Sequence, residues 1–236
     1  VPSLPSFREI DPAALSQPDR YKILVGGVVP RPIAWVSTRS PQGADNLAPF
    51  SFFCAVGSDP MTMLFCPANN GDGSEKDSLR NAKPIGEGGT GEFVVNIVPH
   101  RLAQAMNQTS ACLPYGTSEF DVSGVAAAPC KVVAPKRVAE SPIAYECTTI
   151  QVIRTNLGTP NAGNIVLGRV VHIWLAEGAA DERLRIDPAA IDAVGAGSGT
   201  RPRATASRSR GRTDSVCITP KVQKHSTPRC QGRGVL

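Results

Sequence analysis

The chain has little that would staple it, anchor it in a membrane or cluster a metal. Its seven cysteines (54, 66, 112, 130, 147, 217 and 230) are odd in number and scattered, and neither a CxxC pair nor a Cys/His cluster occurs. A disulfide framework and a zinc site therefore lack support. Cys54, Cys66 and Cys147 sit in apolar surroundings and read as buried free thiols, with a reactive thiol as the other reading. No apolar run approaches the ~18 residues that span a bilayer. The opening stretch VPSLPSFREIDPAAL lacks the basic-then-apolar layout of a signal peptide. The expectation is a cytoplasmic protein with no membrane contact. A Rossmann fingerprint, a glycine-rich turn leading from a strand into a helix, is not present either, so a Rossmann-type nucleotide site is not expected.

What is present favours turns and short strands. The 236 residues include 21 Pro and 22 Gly, with 41% hydrophobic and 19% charged residues. That length buries one core and leaves room for a tail. Charge is distributed unevenly. Residues 1–194 hold 16 Lys+Arg against 19 Asp+Glu, whereas residues 195–236 hold 9 Lys+Arg against the single acid Asp214. The body is mildly acidic, and the overall +5 comes from the tail.

A short helix is expected over 10–24, where Asp11 can cap and Pro12 suits the first turn. Residues 33–37 read as an apolar strand stopped by a turn at 41–43. Residues 46–51 read as a loop-to-strand entry, followed by strands at 51–56 and 61–66. A polar turn at 69–74 precedes a short helix from Lys76, and 93–98 is a further strand. Residues 100–109 have helical spacing, with Leu102, Ala105 and Met106 on one side. Later strands are expected at 130–133, 144–153 and 164–175. Many short strands with few helices imply a mainly β fold, a closed or nearly closed antiparallel barrel. Missing crossover helices disfavour a parallel α/β fold.

Three short segments carry chemistry suited to an anionic, planar ligand. Ser37-Thr38-Arg39 sets two hydroxyls and a cation at a strand end. Asn46-Leu47-Ala48-Pro49-Phe50-Ser51 has small residues where a flat ring can approach backbone. Lys76-Asp77-Ser78 adds a cation and a hydroxyl at a helix start. Each has an ordinary structural reading too: a turn, a strand entry, a solvated helix start. Trp35 and Phe52 read equally as core residues, and Arg31 as the pin of an extended segment.

Order and spacing add to these. The runs PRPIAWVST (30–38), NLAPFSFF (46–53), SDP (58–60), KDSLRN (76–81) and GEFVVN (91–96) together resemble the flavin reductase-like domain family. The likeness continues through Glu119-Phe120, Glu140-Ser141-Pro142 and the run from Gly168 to Ile173, over roughly residues 15–195. The resemblance implies a homodimeric FMN-binding split β-barrel, Greek-key-like, with NAD(P)H as electron donor. It implies that Ser37, Thr38, Lys76 and Ser78, with Asp77 between the last two, hold the phosphate and ribityl end. Asn46, Leu47, Ala48 and Ser51 would meet the ring and ribityl chain, with Asn96 a further contact, and Arg31 and Trp35 would lie close to the pocket. No acid or base is assigned. His172 reads first as a strand histidine satisfied by its neighbours and second as a pocket residue, and His100 as a cap or surface residue. The implied activity is that of an NAD(P)H-dependent flavin reductase, alone or as the partner of a flavin-dependent monooxygenase component. The competing reading is an FMN-binding protein without turnover.

The likeness runs through Ile186-Asp187-Pro188 and stops at Ala196, which puts a domain at 1–195 and a basic tail at 196–236. The tail's Arg/Ala/Ser/Gly/Pro bias and lack of periodicity fit an out-of-frame reading of GC-rich DNA. A native basic arm binding nucleic acid or an acidic partner, or an inert extension, are the other two readings. The absence of interleaved aromatics argues against nucleic acid.

Overall fold

The computed structural model describes residues 4–197; the readings of the tail beyond Gly197 lie outside the described residues. The strands are β1 (Arg31–Pro32), β2 (Ala34–Arg39), β3 (Asp45–Phe50), β4 (Phe53–Ser58), β5 (Met61–Phe65), β6 (Glu92–Ile97), β7 (Ala127–Ala128), β8 (Arg137–Val138), β9 (Ile143–Arg154), β10 (Asn164–Leu175) and β11 (Gly195–Ala196). Short α-helices lie between them: α1 (Gln17–Gly27), α2 (Asp77–Ala82), α3 (Ala103–Gln108), α4 (Glu119–Ser123) and α5 (Pro188–Ile191).

Seven strands form one antiparallel sheet in the order β3-β2-β6-β9-β10-β5-β4. Its two edge strands, β3 and β4, follow each other in the chain with only Ser51 and Phe52 between them. The sheet must therefore curl until its edges approach. Ring contacts inside the curl report that closure: Phe50 on β3 meets Phe65 on β5 at 5.1 Å, and Phe65 meets Phe93 on β6 at 5.1 Å. Offset ring pairs of this kind add about 0.5–1.5 kcal/mol each beyond area burial. The result is a split β-barrel, mainly β as the strand pattern implies.

Ala34, Val36, Phe50, Phe65, Phe93 and Val95 fill the interior, and Leu79 and Ala82 of α2 pack into the same cluster. Gly168 on β10 is glycine because of this packing. A Cβ there would stand 2.3 Å from the Phe93 ring. A second cluster covers the outer face of β2 and β3, where Trp35 and Leu47 pack with Met106 of α3 and Phe120 of α4. β2 is thus covered on both faces, which explains its nearly unbroken buried pattern.

Three expectations are corrected. Residues 46–50 are not a loop entry but part of the strand β3, which accommodates Pro49 because an edge strand can spare an N–H, and Ser51 begins the link to β4. Residues 130–133 are not a strand. The backbone N–H groups of Lys131, Val132 and Val133 donate instead to the buried Glu146 carboxylate, at 2.7–3.0 Å. The helix over 10–24 divides at Leu15, whose backbone is extended. Asp11 caps a 3₁₀ turn at Pro12–Ala14 and Ser16 caps α1. The thiols divide as well: Cys147 is buried, Cys66 half-buried and Cys54 exposed.

Candidate functional site

Strand geometry sorts the candidate residues first. Successive side chains of a strand point to opposite faces, so Ser37 and Thr38 cannot aim at the same group. Thr38 pairs with Asn46, Ser37 with Leu47, and Trp35 with Pro49 on one side and Asn96 on the other. Thr38, Asn46 and Ala48 therefore share the face of Ala34 and Val36. Trp35, Ser37, Leu47 and Asn96 share the face under α3 and α4.

On the first face a polar cradle forms where α2 meets the sheet. The Asn46 side-chain amide donates to Thr38 Oγ1 at 3.1 Å and to Ser78 Oγ at 3.0 Å. Asn81 Nδ2 donates to Thr38 Oγ1 at 3.1 Å, and Asn81 Oδ1 accepts from the Tyr115 hydroxyl at 3.1 Å. Both hydroxyl oxygens are thus occupied as acceptors, and their protons have no acceptor among the described hydrogen bonds. A hydroxyl so arranged keeps its proton available for a further acceptor. The Arg80 guanidinium stacks 3.7 Å from the Tyr115 ring centroid and closes the outer side.

Lys76 precedes α2, and among the described residues no carboxylate lies in ion-pair range of it. Burial lowers the Lys76 pKa, with the nearby Cys112 thiol opposing that shift. A desolvated cation of this kind is stabilised by an anionic ligand. Asp77 is raised by burial, partly offset by Arg80. α2 is only six residues long, so hydroxyls and cations, not a helix dipole, are what the segment offers.

On the second face the candidates are engaged in the fold. Ser37 Oγ donates to the Lys136 carbonyl at 2.5 Å. Asn96 donates to Trp35 O and to Ser37 Oγ and accepts the Val138 N–H. Trp35 is fully buried with its indole N–H on Thr109 Oγ1 at 2.8 Å. The pairing of Ser37 with Thr38 on one phosphate is therefore corrected by the period of the strand. Ser37 and Asn96 clamp β2, β6 and β8 together, and Trp35 offers no ring face to a pocket.

Arg31 and Ser51 sit at the other end of β3. Arg31 donates to Ser51 Oγ at 3.3 Å and to the carbonyls of Val25 and Val28 at 2.5 and 2.7 Å. It holds the carboxyl end of α1, a helix with no buried residue of its own, against the barrel rim, and it forms no ion pair among the described residues. From Asn46 to Phe50 the strand spans about 13 Å at ~3.3 Å per residue, so cradle and Arg31–Ser51 pair mark two ends of one edge strand. His172 stacks edge-on against Trp174 at 5.4 Å, and His100 opens a 3₁₀ turn.

Two clefts, of about 470 and 540 Å³, flank the 114–117 segment. Their walls include Arg80 and Tyr115 in one and Asp45 and Lys136 in the other, but none of the twelve candidate residues. Thr38, Asn46, Ser78 and Asn81 are all buried. The sequence reading missed Asn81 and Tyr115 as members of the cradle, and Glu119, whose carboxyl accepts the Leu47 N–H at 2.8 Å. Glu119-Phe120 stood in the sequence as part of the family likeness, without a role. The described residues hold no group of His, Cys, Asp and Glu that could bind a metal, and no helix long and apolar enough to cross a membrane.

An uncharacterised protein of Deinococcus radiodurans is 41% identical over 196 residues, covering 80% of this chain and 82% of its own. Among solved structures, nitrilotriacetate monooxygenase component B from Bacillus cereus superposes with a TM-score of 0.75 at 30% identity, over 81% of this chain and 92% of its own. Pseudomonas fluorescens 2-nitrobenzoate 2-nitroreductase NbaA superposes with a TM-score of 0.71 at 27% identity, over 90% and 99%. The profile of the flavin reductase like domain matches residues 26–191, a span that holds the barrel strands, α2 and the whole cradle. The split barrel, the cradle at its α2 end and this match together make the chain a member of the flavin reductase-like domain family.

Proposed function

We propose that the chain binds FMN and works as an NAD(P)H-dependent flavin reductase that passes reduced flavin to a partner, such as a flavin-dependent monooxygenase component. The observation that carries the reading is the cradle. Amide donors from Asn46 and Asn81 occupy the oxygens of Thr38 and Ser78 and leave two O–H donors, with Lys76 beside them, for a phosphate. When bound, FMN supplies the carrier that accepts hydride from a nicotinamide and hands electrons on. The protein's share is orientation: Thr38, Ser78, Lys76 and Asp77 at the phosphate end, and the Asn46–Ser51 strand with Arg31 along the rest. Delivery to an oxygenase draws support from the name of the Bacillus cereus neighbour.

The assembly in this reading is a homodimer. Val56, Met61, Ile150, Ile153, Val171 and Ile173 are 36–53% exposed on four adjacent strands, β4, β5, β10 and β9. An apolar surface of that extent suits a second copy. The free thiols of Cys54, Cys66, Cys130 and Cys147 suit a reducing compartment such as the cytoplasm.

The test is to purify the chain, add FMN, and follow NADH and NADPH oxidation. Turnover with either nicotinamide supports the reading. A yellow protein without turnover keeps the binding and removes the reductase, and no FMN uptake removes both. Light scattering of the wild type and of Val171→Asp tests the dimer, which the substitution should break.

A further inference from the structure

Glu119 opens α4, and its side chain turns onto the free edge of β3. It is 6% exposed, and its Oε2 accepts the Leu47 N–H at 2.8 Å. Among the described residues β3 pairs only with β2, so alternate N–H groups of β3 face away from the sheet and need a partner from elsewhere. Leu47 finds its partner in Glu119. Its neighbour Asn46 carries the amide that bridges Thr38 and Ser78. Phe120 sits in the core beside Trp35 and Leu47, so α4 is held firmly and a change at the Glu119 carboxyl is transmitted to β3.

We propose that Glu119 is a positioning residue: through its bond to the Leu47 N–H it sets where the Asn46 amide lies, and so controls how well the cradle receives a phosphate. The last step rests on the flavin reading; the bond and its effect on Asn46 do not.

The electrostatics make the hold sensitive to pH. Burial raises the Glu119 carboxyl to about 7, the N–H groups of Leu47 and of Glu119 itself counter this, and Asp77 on α2 adds to the rise. Among the described residues Glu119 forms no ion pair. α3 (Ala103–Gln108) has no ionisable side chain, Asp45 on β3 is paired with Lys136 at 2.8 Å, and Asp121 on α4 is exposed. An ionised carboxylate accepts an N–H bond roughly twice as strong as a neutral carboxyl does. The grip on Leu47 is therefore firm above about pH 7 and slack below it.

The experiment follows the full chain by ¹⁵N NMR from pH 5.5 to 8.5, in the wild type and in Glu119→Gln, which fixes the neutral form in the same shape. In the wild type the Leu47 backbone amide and the Asn46 side-chain amide should move together with a midpoint near 7, and in Glu119→Gln both should stay flat. FMN titrations by fluorescence quenching should show the ratio of the variant's Kd to the wild type's rising about tenfold from pH 6 to pH 8. The phosphate's own titration near pH ~6 cancels in that ratio. A Leu47 amide without inflection, or one that moves while Asn46 stays still, overturns the proposal, and so does a constant Kd ratio. If the wild type takes up no FMN, the flavin reading fails, while the two amides still decide on the positioning.

Discussion

Thr38 and Asn46 face each other across the β2–β3 ladder, and the Asn46 amide donates to the Thr38 hydroxyl at 3.1 Å. A single donor thereby turns two hydroxyls, Thr38 and Ser78, outward as donors. Asn46→Asp reverses this. The carboxylate would accept from both hydroxyls and add a negative charge where a phosphate should sit. FMN affinity should fall about 10- to 100-fold, that is by roughly 1.4–2.8 kcal/mol, with the barrel still folded. Fluorescence-quench titration with circular dichroism as a control measures it.

The opposite orientation of Ser37 and Thr38 gives a paired prediction. Thr38→Val keeps the shape and removes a donor, so FMN binding should weaken about tenfold at nearly constant stability. Ser37→Ala strands the Lys136 carbonyl and part of Asn96. It should cost about 1–2 kcal/mol of stability and change the FMN Kd by less than about threefold. Equal effects of the two substitutions on binding would contradict the division of faces.

Glu146 gives the fold an acid-sensitive point. Burial pushes its carboxyl up, but the N–H groups of Lys131 and Val132, the Trp174 indole at 2.6 Å and the Val133 N–H outweigh that and leave it below its ordinary value of 4.5. A carboxyl lowered in the folded state stabilises fully above its unfolded pKa and loses that contribution as pH falls through the folded value. Thermal melts of the wild type should drop below about pH 4.5. Glu146→Gln should melt lower at neutral pH, with a flatter acid limb. Glu146→Ala leaves its donors unpaired and should cost about 3–5 kcal/mol.

Gly168 and Phe93 share one space. Gly168→Ala forces its Cβ against the Phe93 ring and should cost about 1–3 kcal/mol by overpacking. Phe93→Leu in the same chain should recover part of that loss, because the ring is what the methyl meets. Denaturant unfolding of the two single variants and the double variant gives the coupling.

Much of the barrel was legible along the chain. Short apolar runs bounded by Pro and Gly marked β2, β5, β6, β9 and β10, and the ordered motifs from Arg31 to Ser78 carried the family. The misread segments share a cause. Residues 130–133 have the look of a strand, yet their N–H groups go to a carboxylate on β9, sixteen residues from Cys130, and no local pattern reports that. Residues 46–51 read as a loop-to-strand entry, whereas 46–50 form an edge strand that tolerates Pro49.

The residue types of the site are a property of the sequence: hydroxyls, amides and a lysine, carried by the ordered motifs between Arg31 and Ser78. Which of them can act together was decided only by the tertiary structure. Pleating sends Thr38, Asn46 and Ala48 to one face and Trp35, Ser37, Leu47 and Asn96 to the other, because a strand alternates residue by residue. The curl of the sheet then brings α2, with Ser78 and Asn81, under Thr38 and Asn46. It is also the packing of α4 on the edge of β3 that gives Leu47 a carboxyl partner 72 residues away, a contact that strand periodicity and local propensity do not encode.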